Sequence, residues 1–138
     1  MKLSFVLDAC AIIAFLAEEA GADIVEEYLI QAQSGKIKLF MNSVNLLEVY
    51  YGIEKYEGQI KAKQILADMK KLPINFIDRI SENIFFSASY FKSNYKISLA
   101  DSFALATSKS LSAKLLTSDH HEFDIIDTKQ ELEFVWIR

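Results

Sequence analysis

Acidic residues stand at four places in this sequence where a carboxylate is well placed for chemistry. Asp8 directly follows the apolar run Leu3–Leu7, and Asp119 comes two residues after a second such run. Glu48 and Asp101 each lie in a stretch with a helical pattern. Carboxylates that are brought together repel one another, and a hard divalent cation such as Mg²⁺ or Mn²⁺ relieves that repulsion. Such a cation activates a bound water and stabilises an in-line phosphoryl displacement, so the pattern favours hydrolysis of phosphodiesters.

Glu48 is the acid that local structure explains least well. Val44, Leu47 and Tyr51 follow the spacing of an apolar helical stripe, and Glu48 falls on that stripe. A charge on a buried stripe costs free energy unless it is paired or bound to metal. We therefore expect Glu48 to point inward, toward either a metal ion or an Arg or Lys from elsewhere in the chain.

Each of the other three acids also has an ordinary structural explanation. Asp8 and Asp119 stand at strand ends, where Asp most often caps a helix or closes a turn. Asp101 is the third residue after Ser98, and this spacing matches a capping box, although Asp fits that motif less well than Glu or Gln. The residues after Asp101 are largely apolar, which predicts a buried helix start. The sequence leaves capping and metal binding open for all three.

Strand-like and helical stretches alternate along the chain. Apolar runs predict strands over Leu3–Leu7, Ile37–Met41, Ile74–Ile77, Lys114–Thr117 and Glu133–Ile137. Longer stretches predict helices over Ala9–Ala17, Ala22–Gln33, Ser43–Lys55, Gln59–Lys71, Ile80–Ser93 and Leu99–Ser112, and we expect a loop over Ser118–Asp127. This alternation predicts an α/β fold of three layers, in which helices cover both faces of a mainly parallel sheet. Sites in such sheets form beyond the carboxyl ends of the strands.

The composition is that of a folded chain without an excess of basic charge. Its 138 residues are 51% hydrophobic, and we expect one domain over residues 1–138. Fifteen Lys and Arg against nineteen Asp and Glu give a net charge of −4. A nucleic-acid partner would therefore need local basic patches, or metal that offsets the carboxylates.

The single cysteine, Cys10, excludes an intramolecular disulfide and suits a reducing cytoplasm. The apolar start of the chain superficially suggests an export signal that ends in a lipidated cysteine. Asp8 interrupts that run after the five residues Leu3–Leu7, which is too short for a signal core. No stretch is long and apolar enough to span a bilayer. We expect a cytoplasmic protein with no membrane segment.

The stretches around the four acids resemble the PIN-domain family, especially its VapC-type ribonuclease toxins. The resemblance covers essentially the whole chain and rests on FVLDACAIIAFLAEEAGAD at 5–23, NSVNLLEVYYG at 42–52, SLADSFALATS at 98–108 and LLTSDHHEFD at 115–124. It implies a PIN-like parallel sheet and a site of Mg²⁺ or Mn²⁺ held by Asp8, Glu48, Asp101 and Asp119. It also implies cleavage of single-stranded RNA, a homodimer, and a small antitoxin partner that blocks the active site.

Several residues near the four acids are also candidates for a role at the same site. By the resemblance, Asp124 matches an auxiliary acid of some members, although a loop acid is the ordinary alternative. Thr117 and Ser118 flank Asp119 and either orient it, meet a phosphate, or simply end a strand. Family members often have Ser where this chain has Cys10, and a thiol is a weaker donor than a hydroxyl.

Two other functions remain open at this point. One is a different Mg²⁺-dependent phosphohydrolase, although Asp8 is not followed by the second Asp, two residues on, that the haloacid-dehalogenase pattern requires. The other is a non-catalytic binding module with the PIN fold, which the presence of all four acids disfavours.

Overall fold

The computed structural model describes residues 2–138 and shows a five-stranded parallel sheet between two layers of helices. The strands are β1 Leu3–Leu7, β2 Ile37–Asn42, β3 Asn75–Ile77, β4 Lys114–Thr117 and β5 Phe134–Trp136. The helices are α1 Ala9–Leu16, α2 Ala22–Gln33, α3 Ser43–Glu57, α4 Gln59–Met69, α5 Glu82–Asn94, α6 Leu99–Leu111 and α7 His120–Thr128. The strand order is β3-β2-β1-β4-β5, and every pairing is parallel. The predicted three-layer α/β/α class is confirmed.

Alternation of side chains along the strands divides the apolar core between the two faces of the sheet. In β1, Phe5 and Leu7 join a cluster with residues of α1, α2, α3 and α4. Val6 points the other way and joins a cluster with residues of α5, α6 and α7. The central strand is thus buried on both faces, as its unbroken apolar run predicts.

The loop predicted over Ser118–Asp127 is wrong, because α7 occupies most of it. Asp119 caps this helix by accepting a hydrogen bond from the backbone N–H of Glu122 at 3.1 Å. Phe123 and Ile126, three residues apart, pack into the core and hold the helix on the sheet. Both signals stand in the sequence, as an Asp-x-x-Glu spacing followed by an apolar pair at helical spacing.

The carboxyl ends of the strands meet at one edge of the sheet. Leu7 pairs with Leu116 and Thr117 pairs with Trp136, so β1, β4 and β5 end side by side. The residues that follow β1, β2 and β4 lead directly into α1, α3 and α7. Helix N-termini and strand ends therefore lie together at this edge. No helix within residues 2–138 has the length and apolar character needed to cross a membrane.

Candidate metal centre

Asp8 lies at the junction of β1 and α1 and is only 2% exposed. One carboxylate oxygen accepts a hydrogen bond from the backbone N–H of Ala11 at 2.9 Å, which makes Asp8 the N-cap of α1. The other oxygen accepts a hydrogen bond from the hydroxyl of Thr117. Burial raises the pKa of Asp8 from 3.8 to about 7, with smaller contributions from Asp101 and Asp119, although the two hydrogen bonds oppose the change.

Thr117 joins Asp8 to Asp119. Its hydroxyl is fully buried at the end of β4, where it donates to Asp8 and accepts from the backbone N–H of Asp119 at 3.0 Å. Asp119 is half-buried and caps α7. The capping roles expected for Asp8 and Asp119 are therefore present, and they leave lone pairs on both carboxylates for other ligands.

Asp101 lies in the first turn of α6, in a half-buried position. Ser98 caps this helix by accepting a hydrogen bond from the Asp101 backbone N–H at 3.0 Å, as the sequence predicts. Within the described residues, the Asp101 carboxylate accepts no hydrogen bond from the Ser98 backbone N–H, so the capping box is only half formed. Burial, followed by the charge of Asp119, raises the pKa of Asp101 from 3.8 to about 6, although hydrogen bonding with the Ser98 side chain opposes the rise; Glu48 and Glu122 contribute less.

Glu48 lies on α3, but the predicted apolar stripe around it is wrong. Leu47 and Tyr51 are 57% and 55% exposed, whereas Asn45, Leu46 and Val49 face the core. A second apolar set on this helix, Leu46, Val49 and Ile53, has the same helical spacing, and this is the set that packs into the core. Glu48 consequently lies half-buried at the boundary, where burial and then the charge of Asp119 raise its pKa.

The Cys10 thiol, in the first turn of α1, is affected by the charge of all four acids. Burial raises the pKa of the Cys10 thiol to about 12, and the charges of Asp8, Asp119, Asp101 and Glu48 all add to that rise. No Lys, Arg or His between residues 2 and 138 forms an ion pair with any of these acids. The carboxyl edge of the sheet therefore carries negative charge that this part of the chain does not neutralise.

This donor set fits a hard divalent cation. Carboxylate oxygens are the ligands that Mg²⁺ and Mn²⁺ prefer, and an uncompensated cluster of acids gains from a cation. Across residues 2–138, no three His, Cys, Asp or Glu side chains stand close enough to form a ready-made cage. Mg²⁺ commonly keeps several waters and takes only one or two carboxylates directly, so a preformed cage is not required.

Two of the flanking residues have local structural roles. Ser118 is half-buried, and its backbone carbonyl accepts a hydrogen bond from the His120 N–H at 3.0 Å. Asp124 is exposed on α7, where its carboxylate lies 2.8 Å from Nδ1 of His120. The imidazole of His120 also stacks on Trp136 with ring centroids 3.9 Å apart. Asp124 thus contacts another side chain of the same helix, α7. Its role as an auxiliary acid stays a prediction.

Sequence reasoning missed two residues near the acids. Glu122, in the first turn of α7, contributes to the raised pKa of Asp101. Its place three residues after the capping Asp119 was the signal that could have revealed it. Asn45, on α3, is buried and bonded to α6. Nothing in its sequence context distinguishes it from a surface polar residue.

An α/β/α fold with four acids near the carboxyl edge of a parallel sheet defines a class of candidate metal-dependent proteins. Within that class, a sequence model of the PIN domain matches residues 5–129. The chain belongs to the PIN-domain family.

Solved structures with the same fold are distant in sequence. The DNA-bound VapBC of Salmonella typhimurium is 15% identical with a TM-score of 0.73, and the match covers 99% of each chain. VapBC2 of Rickettsia felis, bound to a promoter fragment, is 18% identical with a TM-score of 0.72 and covers 96% of this chain and 98% of that one. The Mycobacterium tuberculosis toxin VapC20, described as cleaving the sarcin–ricin loop, is 13% identical with a TM-score of 0.62 and covers 93% and 95%. Comparison with curated protein sequences produced no match.

Proposed function

We propose that this chain is a metal-dependent endoribonuclease that cleaves single-stranded RNA and acts as the toxin of a toxin–antitoxin pair. One observation carries the proposal: the Thr117 hydroxyl joins Asp8 to Asp119 at the carboxyl ends of neighbouring strands, and no basic side chain among the described residues pairs with either acid. The PIN family and the VapBC complexes that share the fold support the toxin assignment. The VapC20 toxin supports RNA as the substrate class.

The four acids would hold Mg²⁺ or Mn²⁺, which when bound supplies an activated water and neutralises charge on the phosphate. Asp8 is the rigid member, because Ala11 and Thr117 orient both of its oxygens. Asp101 and Asp119 sit on helix N-termini, whose partial positive charge favours a carboxylate. Glu48 is the acid contributed by α3, where its side chain is half-buried.

The proposal extends to the working form of the protein. We propose that residues 1–138 act as one domain in the cytoplasm, as a homodimer, and that a small antitoxin covers the acidic edge. A partner that brings a basic side chain to this edge would relieve the same repulsion that a cation relieves. Such a partner would therefore compete with metal as well as with RNA.

The decisive experiment compares RNA cleavage by the wild type and by Asp8→Asn. We expect the wild type to cut single-stranded RNA with Mn²⁺ or Mg²⁺ and to stop in EDTA. Asp8→Asn keeps the shape of the side chain but removes an anionic ligand, so we expect cleavage to fall by orders of magnitude. Asp68→Asn, which neutralises an exposed acid on α4, is the matched control and should retain full activity.

Three outcomes would replace this proposal. Full cleavage in EDTA would exclude the metal mechanism. Turnover of aryl phosphates without any cut in RNA would indicate a different phosphohydrolase. Absence of all hydrolysis with Mn²⁺, together with tight binding of a protein partner, would indicate a non-catalytic PIN-fold binding module.

A further inference from the structure

Asn45 is a fully buried polar residue on α3, three residues before Glu48. Its side-chain Nδ2 donates a hydrogen bond of 3.0 Å to the backbone carbonyl of Ala100, across 55 residues of sequence. Ala100 immediately precedes Asp101 in the first turn of α6. One side chain therefore links the helix that carries Glu48 to the turn that carries Asp101.

Packing alone does not account for an amide at this position. The Oδ1 atom of Asn45 is buried and has no hydrogen-bond donor among the described residues. A buried acceptor without a donor costs free energy, so an apolar side chain of similar size would be the more stable filling. The opposite orientation of the amide would place Oδ1 against the Ala100 carbonyl, where two acceptors repel. The stabilising interaction of this side chain is the hydrogen bond that its Nδ2 donates to the Ala100 carbonyl.

Asn42 forms a second tie between the same two helices. Its Oδ1 caps α3 by accepting from the Val44 N–H at 2.8 Å, and its Nδ2 donates to the Thr107 hydroxyl at 3.0 Å. Thr107 in turn donates to the Phe103 carbonyl within α6 at 2.7 Å. Because α3 is held at two points one turn apart, both its distance from α6 and its rotation are restrained.

We infer that Asn45 is a positioning residue, which holds Glu48 at the spacing from Asp101 that a shared divalent cation needs. This role rests on the proposed function. Glu48 and Asp101 are both carboxylates, carried by the two helices that Asn45 joins, so they repel each other when ionised. Without the bond to Ala100, that repulsion would drive the start of α6 away from α3. Residues that orient metal-binding carboxylates typically change metal affinity by about 10- to 100-fold when removed.

The test is Mn²⁺ affinity, measured by electron paramagnetic resonance of the free ion, together with cleavage kinetics. We expect Asn45→Ala to weaken Mn²⁺ binding by about tenfold and to lower kcat, with KM for RNA little changed. Asn75→Ala is the matched control, because Asn75 Nδ2 donates a comparable bond of 3.1 Å to the Leu39 carbonyl between β3 and β2. That control should keep wild-type affinity and kcat.

A double-mutant cycle separates positioning from general destabilisation. If Asn45 acts through Glu48, adding Asn45→Ala to Glu48→Gln should weaken Mn²⁺ binding by less than about twofold further. If Asn45→Ala only destabilises the fold, its effect on Mn²⁺ affinity should instead multiply with the effect of Glu48→Gln. Should Asn45→Ala fail to fold, Asn45→Thr serves in its place, since a helical Thr hydroxyl bonds to its own backbone and does not reach α6.

Two results would overturn this role in different ways. Wild-type protein that neither binds Mn²⁺ nor cuts RNA would refute the proposed function and the positioning role together. The positioning role alone would be refuted if the wild type binds Mn²⁺ and cuts RNA, and Asn45→Ala or Asn45→Thr does both equally well. Multiplicative effects in the double-mutant cycle would refute it in the same way.

Discussion

The hydroxyl of Thr117 donates a hydrogen bond to the carboxylate of Asp8 across 109 residues of sequence. Both groups are buried, and the same hydroxyl accepts the backbone N–H of Asp119. The bond stabilises the ionised form of Asp8 and so lowers a pKa that burial holds at about 7. Protonation of Asp8 is therefore influenced by a hydroxyl from a neighbouring strand, at a position that we propose binds a cation.

Removal of this hydroxyl should change the pH dependence of cleavage. In Thr117→Val the pKa of Asp8 rises further, so a larger fraction is protonated at neutral pH and metal binding weakens. A hydrogen bond to a charged group contributes about 1.5–3 kcal/mol, so its loss should lower the ionised fraction of Asp8 at pH 7 by about sevenfold or more. The acidic limb of the pH–rate profile should move to higher pH, while Thr117→Ser should follow the wild type. Identical profiles for Thr117→Val and wild type would show that this bond does not control Asp8.

Two serine caps provide a matched pair for separating stability from activity. Ser98 caps α6 and Ser81 caps α5 by the same side-chain bond, to the N–H of Asp101 at 3.0 Å and of Ile84 at 3.2 Å. Each Ser→Ala change should lower the free energy of unfolding by about 1 kcal/mol in chemical denaturation. Only Ser98→Ala should also reduce cleavage, because it loosens the turn that carries Asp101. Equal loss of activity in both variants would assign the effect to stability alone.

The stability of the metal-free protein should fall as the pH rises from about 4 to about 7. The pKa of Asp8 is about 7 in the folded chain against an ordinary 3.8, so the folded state binds more protons in this range. The stability that this pKa difference contributes is fully present below pH 3.8 and is lost as the pH rises through about 7. Urea denaturation in EDTA at pH 5 and pH 8 measures the difference. Asp8→Asn should show a clearly smaller difference, and an unchanged one would mean that Asp8 ionises normally.

Neutralising Asp101 should not destabilise the metal-free protein at neutral pH. Ser98 accepts from the backbone N–H of Asp101, so Asp101→Asn retains the cap and removes one repelling charge. We expect thermal melts in EDTA to show equal or higher stability than the wild type. Mg²⁺ at a hundredfold excess over its dissociation constant should stabilise the wild type by about 2.7 kcal/mol and the variant by much less. A variant that is weaker in EDTA, yet equally stabilised by Mg²⁺, would show that Asp101 is not a metal ligand.

Expression in a bacterial host tests the toxin assignment. Wild-type protein should arrest growth, whereas Glu48→Gln should be tolerated, because one anionic ligand is lost while the shape of the side chain is kept. Immunoblotting must show equal amounts of the two proteins. Equal toxicity at equal amounts would mean that growth arrest has another cause than cleavage.

The sequence by itself determined most strands and helices, and it placed the four acids near the ends of strands or in helices. Apolar runs such as Leu3–Leu7 are strands because they can be buried on both faces, and the alternation with helices leaves a parallel sheet as the compact arrangement. The caps Asn42 and Ser98 were also predictable, since a cap bonds to backbone only two or three residues away. All of these are properties of short stretches of chain, which the order of residues is enough to define.

Only the tertiary structure decided how these parts face one another. The helix α3 has two apolar faces at helical spacing, and only tertiary packing decided that Leu46 and Val49 are buried while Leu47 and Tyr51 are exposed. The bond between Thr117 and Asp8, like the raised pKa of Asp8, depends on burial by residues far away in sequence. Burial free energy and electrostatic repulsion are set by which groups meet in space, so no local pattern could have specified them.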